Sequence, residues 1–214
     1  MQAMRNYSAI DSAIINLANS VSTFCEKPRA SRAYPGQATD PTDFPTAERD
    51  KSARYMRINH VGEICAQALY QSQALTSRSP EIREKMKQAS EEEIDHLAWC
   101  EQRLEELGGR KSFLNPFWYA GSFAIGTAAG LAGDKWNLGF VAETEKQVVQ
   151  HLDGHLGKLP KSDLRSREVV AQMKEDEAKH AEEAIDAGAA ELPLPVKSLM
   201  KIASGVMTRA AYWI

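Results

Sequence analysis

Residues 82–107 read IREKMKQASEEEIDHLAWCEQRLEEL, and the fold turns on which face of this stretch its acids occupy. Ile82, Met86, Ala89, Leu97, Cys100, Leu104 and Leu107 recur at helical spacing and mark one apolar seam. The steps of three and four from Ala89 to Cys100 pass through Glu93 and His96, so both belong on the buried face. A Glu-x-x-His taken alone is common on solvated helices, and Glu91, Glu92 and Asp95 around it are what a charged face looks like.

The pattern repeats further along. Val170 and Met173 lead to Glu177 and His180, and Ala184 and Ala187 continue that seam. The helix before it carries Val141, Val148, Val149, Leu152 and Leu156 on one stripe. Glu145 falls on the stripe, while Glu143 falls off it with Gln147 and Gln150. On the first helix, Glu63 lines up with Met56 and Tyr70, each seven residues away. The chain thus reads as two helix pairs, each with a lone inward Glu followed by an inward Glu-x-x-His.

Four buried carboxylates without partners would cost several kcal/mol each. Inward-facing cations are few, and a pair of divalent metal ions resolves the problem. Glu63, Glu93, Glu145 and Glu177 with His96 and His180 offer oxygen and imidazole donors, which suit two iron ions, or manganese, better than a thiolate-preferring metal. One Glu from each of two helices and Glu-x-x-His from each of the others is the ligand set of ferritin-like di-iron bundles. The expected class is all-α: a ferritin-like four-helix bundle with a long apolar crossover and an extra amphipathic C-terminal helix.

The helices are expected over Thr46 to Leu75, Pro80 (capped by Ser79) to Leu107, Leu138 to Leu156, and Ser162 or Asp163 to Gly188. Residues 8 to 25 can form a short helix. Residues 27 to 46, with Pro28, Pro35, Pro41 and Pro45, read as an extended, solvated connector that cannot be helical. The division expected is 1–50, an N-terminal helix and linker, and 51–214, the di-iron domain. Between the helix pairs, Phe113 to Gly133 runs 21 residues without a charge. Its glycines and its aromatics Phe113, Phe117, Trp118, Tyr119 and Phe123 suit a bilayer interface; a buried cover helix and a true span are the alternatives. Gly126-x-x-x-Gly130 permits close helix packing. Val196 to Ile214 places Lys197, Lys201 and Arg209 beside an apolar face, fitting an anionic membrane surface or docking to the core.

The net charge of −3 gives no basic footprint for nucleic acid. Cys25, Cys65 and Cys100, an odd set without CxxC, read as reduced thiols in a cytosolic setting, and no secretory or transit signal is evident. His60 is either an outer partner of the centre or polar filler. His151 either bonds a ligand carboxylate or faces solvent, and His155 is expected at the surface.

Residues 55 to 214 resemble the demethoxyubiquinone hydroxylase family of ubiquinone biosynthesis. The resemblance rests on Arg57-Ile58-Asn59-His60-Val61-Gly62-Glu63, Glu93-Ile94-Asp95-His96, the apolar crossover, Glu145, and Glu177-Ala178-Lys179-His180. It does not reach the first 50 residues. It implies a membrane-associated di-iron monooxygenase that hydroxylates the ring of a 3-demethoxyubiquinol with O2 and two electrons from an unnamed donor. It further implies a polyprenylated quinol as substrate, a place in a biosynthetic complex, and peripheral attachment to the cytoplasmic face of a bacterial cell membrane. His151 matches the family's near-site histidine, a role behind the ligands. A soluble ferroxidase or iron-binding protein, and a non-catalytic membrane scaffold, are the competing readings of the same six residues.

Overall fold

A computed structural model describes residues 26–38 and 45–214. The helix expected over residues 8 to 25 lies outside the described residues. Six α-helices, and no strand, occur among those that are described. They are α1 (Thr46–Thr76), α2 (Pro80–Glu106), α3 (Asn115–Leu131), α4 (Asp134–Lys158), α5 (Leu164–Asp186) and α6 (Leu194–Trp213).

The helix ends follow local chemistry. Ser79 accepts from the Ile82 backbone N–H at the start of α2, and Asp163 accepts from Ser166 N–H at 3.0 Å at the start of α5. Gly108 and Gly188 take positive φ just beyond α2 and α5. Gly133, at φ 113°, turns the chain from α3 directly into α4, which therefore begins at Asp134, four residues before the expected start at Leu138.

Two apolar layers define the bundle. One gathers Met56, Cys100, Leu152 and Met173 with Trp99, Leu104 and Val170. The other gathers Tyr70, Met86, Leu138, Val141 and Ala184. Both α1 and α5 run from the first layer to the second, whereas α2 and α4 run the opposite way. The pairs α1/α2 and α4/α5 are therefore antiparallel hairpins, and α2 and α4 point the same way. Helices that point the same way cannot be joined by a tight turn, which is why α3 intervenes.

On α3, one face packs on α1. A Cβ added at Gly126 would strike Ser72 Oγ and come within 2.9 Å of the Leu69 carbonyl; one at Gly130 would strike Thr76. The other face is open, with Phe117 67% exposed beside exposed Phe113, Ile125 and Leu131. The crossover thus covers the bundle and also presents apolar surface. No described helix is long and apolar enough to cross a membrane.

The tail helix α6 meets α4 near its start, where Lys197 faces Glu143 and Gln147, and is tied down at its C-terminal end. Arg57 donates to the carbonyls of Ala211 and Tyr212 at 2.7 Å each, and Arg110 to those of Trp213 and Ile214. These arginines satisfy carbonyls that a helix end leaves unpaired. Leu194, Leu199, Ile202, Val206 and Trp213 stay exposed.

The solvated-connector expectation for residues 27 to 46 is corrected where they are described. Pro35–Ala38 form a short 3-10 helix, Tyr34 is buried in the first apolar layer, and Gly36 rests on Arg165. Ser31 and Arg32 bind acids of the bundle, so side-chain hydrogen bonding holds this polar stretch down where periodicity offers no sign of it.

Candidate metal centre

Between the two apolar layers lies a polar one. Glu63 on α1, Glu93 and His96 on α2, Glu145 on α4, and Glu177 and His180 on α5 are all buried. Each sits one to two turns from the apolar residues of its own helix that flank it, so the layer is bounded by apolar side chains above and below. Glu143 instead lies at the edge, near Lys197 and Gln147.

One ligand atom from each of Glu63, Glu93, His96 and Glu177 lies within 4.8 Å of the other three. His96 Nδ1 is 3.0 Å from Glu93, 3.3 Å from Glu177 and 3.9 Å from Glu63. His180 aims its Nδ1 at the same place, 3.1 Å from Glu93 Oε1 and 3.2 Å from Glu177 Oε2. The approach to Glu93 Oε1 lacks hydrogen-bond alignment, and that oxygen and Glu63 Oε2 have no hydrogen-bond partner among the described residues. Glu145 stands slightly apart, accepting a 2.6 Å hydrogen bond from the Tyr70 hydroxyl.

Protons carry the positive charge of this layer when metal does not. Burial, then the Glu93 charge, holds the Glu63 carboxyl well above its ordinary range. Burial with Glu177 and Glu93 does the same to Glu145. Burial would raise Glu93 too, but His96 and His180 outweigh it and hold that carboxyl low. Burial would lower both histidines, but the carboxylates override it, raising His96 strongly and pushing His180 up to about 12. Buried carboxylate oxygens without donors and imidazoles whose inward nitrogens need a cation make a donor set that fits two divalent ions, each displacing protons.

Two acids stand behind the ligands: Asp176, which the helix seam does not mark, and Glu92, which the sequence presents as part of a charged face. His96 Nε2 lies 3.0 Å from Asp176 Oδ2, and His180 Nε2 lies 2.8 Å from Glu92 Oε2. Each acid directly precedes the Glu of the opposite helix's motif, so the two pairs are reciprocal. Carboxylates on the outward nitrogen fix the ring and its tautomer. The available signal was an acid immediately before the Glu in both copies.

The remaining histidines lie elsewhere. His60 is buried 3.7 Å from Glu101, without an aligned hydrogen bond. His151 has no hydrogen bond to any of the six residues, and its Nε2 has no partner among the described residues. Its ring lies 3.9 Å from that of His155, and burial brings it down to about 4. The surface expectation for His155 is corrected: it is buried, and its Nδ1 pairs with Asn59 Oδ1 at 2.8 Å.

Comparison with known proteins adds the following. The profile of the family described as "Ubiquinone biosynthesis protein COQ7" matches residues 50–211. A protein of Nitrosomonas eutropha named 3-demethoxyubiquinol 3-hydroxylase is 54% identical over 205 residues, covering 96% of this chain and 99% of its own. Proteins of the same name from Nitrosospira multiformis (55% identical; 96% and 99% covered) and Chromobacterium violaceum (53%; 95% and 98%) are similar throughout.

Proposed function

The chain belongs to the ubiquinone biosynthesis protein COQ7 family, and on that premise we propose that it is the 3-demethoxyubiquinol 3-hydroxylase of its source, an enzyme that adds a hydroxyl group to a quinol ring using O2. We further propose that the catalytic centre is a pair of iron ions held by Glu63, Glu93, His96, Glu145, Glu177 and His180. The observation that carries this is the buried layer of acids and imidazoles, with four ligand atoms within 4.8 Å of one another, in a chain so close to proteins of that name.

When bound, the iron supplies the redox chemistry that activates O2. The chain's own residues do the rest. The four carboxylates and two imidazoles hold the metal, Asp176 and Glu92 orient the rings, and Tyr70 fixes Glu145. The apolar layers on either side keep water from the centre. The decisive experiment is aerobic turnover of a demethoxyubiquinol by reduced, iron-loaded protein beside Glu177→Ala. The variant should lose both bound iron and product; a variant that keeps turning over removes the centre from this reading.

The open faces of α3 and α6 support a second element of the proposal, peripheral attachment to the cytoplasmic side of the membrane that holds the polyprenylated substrate. Phe117→Glu with Leu199→Glu, both at exposed positions, should leave the protein in the supernatant when liposomes are sedimented. Unchanged co-sedimentation would refute attachment through these faces.

A further inference from the structure

We propose that Arg32 is a positioning residue of the metal centre: through Asp176 it fixes the ring of His96, so that the segment ahead of the bundle completes one of the two imidazole ligands. The inference rests on the metal reading of the six residues.

The geometry is a chain of contacts that ends on the ligand. Arg32 Nη1 donates to Asp176 Oδ2 at 2.8 Å, and that same oxygen lies 3.0 Å from His96 Nε2. Arg32 Nε donates to Asp95 Oδ2 at 2.7 Å, the carboxylate next to His96 in the chain. Ser31 secures the other Asp95 oxygen, donating its backbone N–H at 2.6 Å and its hydroxyl at 3.2 Å. The guanidinium also lies 4.7 Å above the Trp99 ring, whose centroid is 5.4 Å from that of His96. Arg32 therefore touches three residues, and all three border His96.

A planar fork suits this task. The rigid plane sets Nε and Nη1 in fixed directions, so one group holds two carboxylates, which an ammonium cannot do with the same directionality. Without it, Asp95 and Asp176 lose their shared cation, and Asp176 Oδ2 loses the donor that faces it beside His96, while Gln172 at 3.0 Å and Lys179 at 3.9 Å remain on Oδ1. Among the described residues nothing equivalent supports the other imidazole. Among the described residues, Glu92 pairs with His180 and with no arginine or lysine.

The test is a double-mutant cycle on the full chain with Co(II) as probe. Co(II) affinity and its visible absorption bands are measured for wild type, Arg32→Ala, Asp176→Asn and the double variant. Arg32→Ala should weaken binding roughly tenfold and shift the bands, as loss of support behind a ligand does. In the Asp176→Asn background the same change should add almost nothing, because the path to His96 is already cut. Arg32→Lys, which keeps charge without the fork, should fall between wild type and Arg32→Ala. Lys27→Ala, in the same segment but on an exposed pair with Glu105, should bind as wild type does. Should Arg32→Ala fail to fold by circular dichroism, Arg32→Lys carries the cycle.

An equal loss in both backgrounds would show general destabilisation and overturn the proposal, as would an Arg32→Ala protein with wild-type affinity and spectrum. Wild-type protein that binds no Co(II) would instead defeat the metal reading itself and take this inference with it.

Discussion

His96 and His180 occupy the same place in two near-copies of one motif, yet they are held differently. Asp176, behind His96, has a side chain 9% exposed and is bridged to Asp95 by Arg32. Glu92, behind His180, has a side chain 60% exposed and no such bridge among the described residues. The repeated motif builds both inward faces alike, but what stands behind each ring depends on the elements that cover it. The His96 side lies under the segment around Arg32, whereas the His180 side opens to solvent at Glu92. The near two-fold pattern of the six residues therefore does not extend to their supports, and the two imidazoles are not equally held.

The largest effect should come from cutting each support in turn. Asp176→Asn should lower Co(II) or iron affinity roughly 10- to 100-fold, the usual cost of removing a buried carboxylate behind a metal-bound imidazole. Glu92→Gln should cost less than about threefold, because an exposed ion pair is screened by water and salt. Matching losses from the two variants, read by competition with a chelator, would break the comparison.

A smaller effect concerns protons. His180 is held up to about 12, against an ordinary value of 6.5, so the metal-free folded protein keeps a proton that the unfolded chain releases. That contribution is complete below pH 6.5 and drains away as pH rises towards 12. Raised His96, Glu63 and Glu145 act in the same direction. Glu93 and Asp176, held low, oppose it only in acid, where falling pH removes their contribution. His151 and His155, lowered chiefly by burial, also act only below pH 6.5. The Tm of metal-free protein should therefore fall between pH 6.5 and 9, while metal loading displaces these protons and flattens the profile. Calorimetry at several pH values decides it; a metal-free Tm that holds or rises across this window contradicts the charge assignment.

The parts of this molecule that were legible in the sequence are those built by local periodicity. The helix seams placed Glu93, His96, Glu177 and His180 inward and separated Glu145 from Glu143, because a helix fixes which residues share a face. Ser79 and the glycines beyond α2 and α5 marked the helix ends for the same reason. Contacts between elements were not legible. Asp176 and Glu92 each sit four residues before a histidine of their own helix but serve the histidine of the other, which only the docking of α2 on α5 reveals. His155 read as a surface residue because its partner, Asn59, lies 96 residues earlier. Arg32 was hidden most deeply, in a proline-rich stretch whose composition describes a linker whether or not acids wait nearby to receive it.

The reach of Arg32 also has a consequence in time. It lies 63 residues from Asp95 and 144 from Asp176, so its two partners leave the ribosome far apart. At about 5–20 residues per second, the second arrives roughly 7–30 s after Arg32 itself has been made. The hairpin of α1 and α2 can take hold of the arginine through Asp95 long before α5 exists. The ring of His96 then waits for Asp176, so its anchoring requires that α5 has been made.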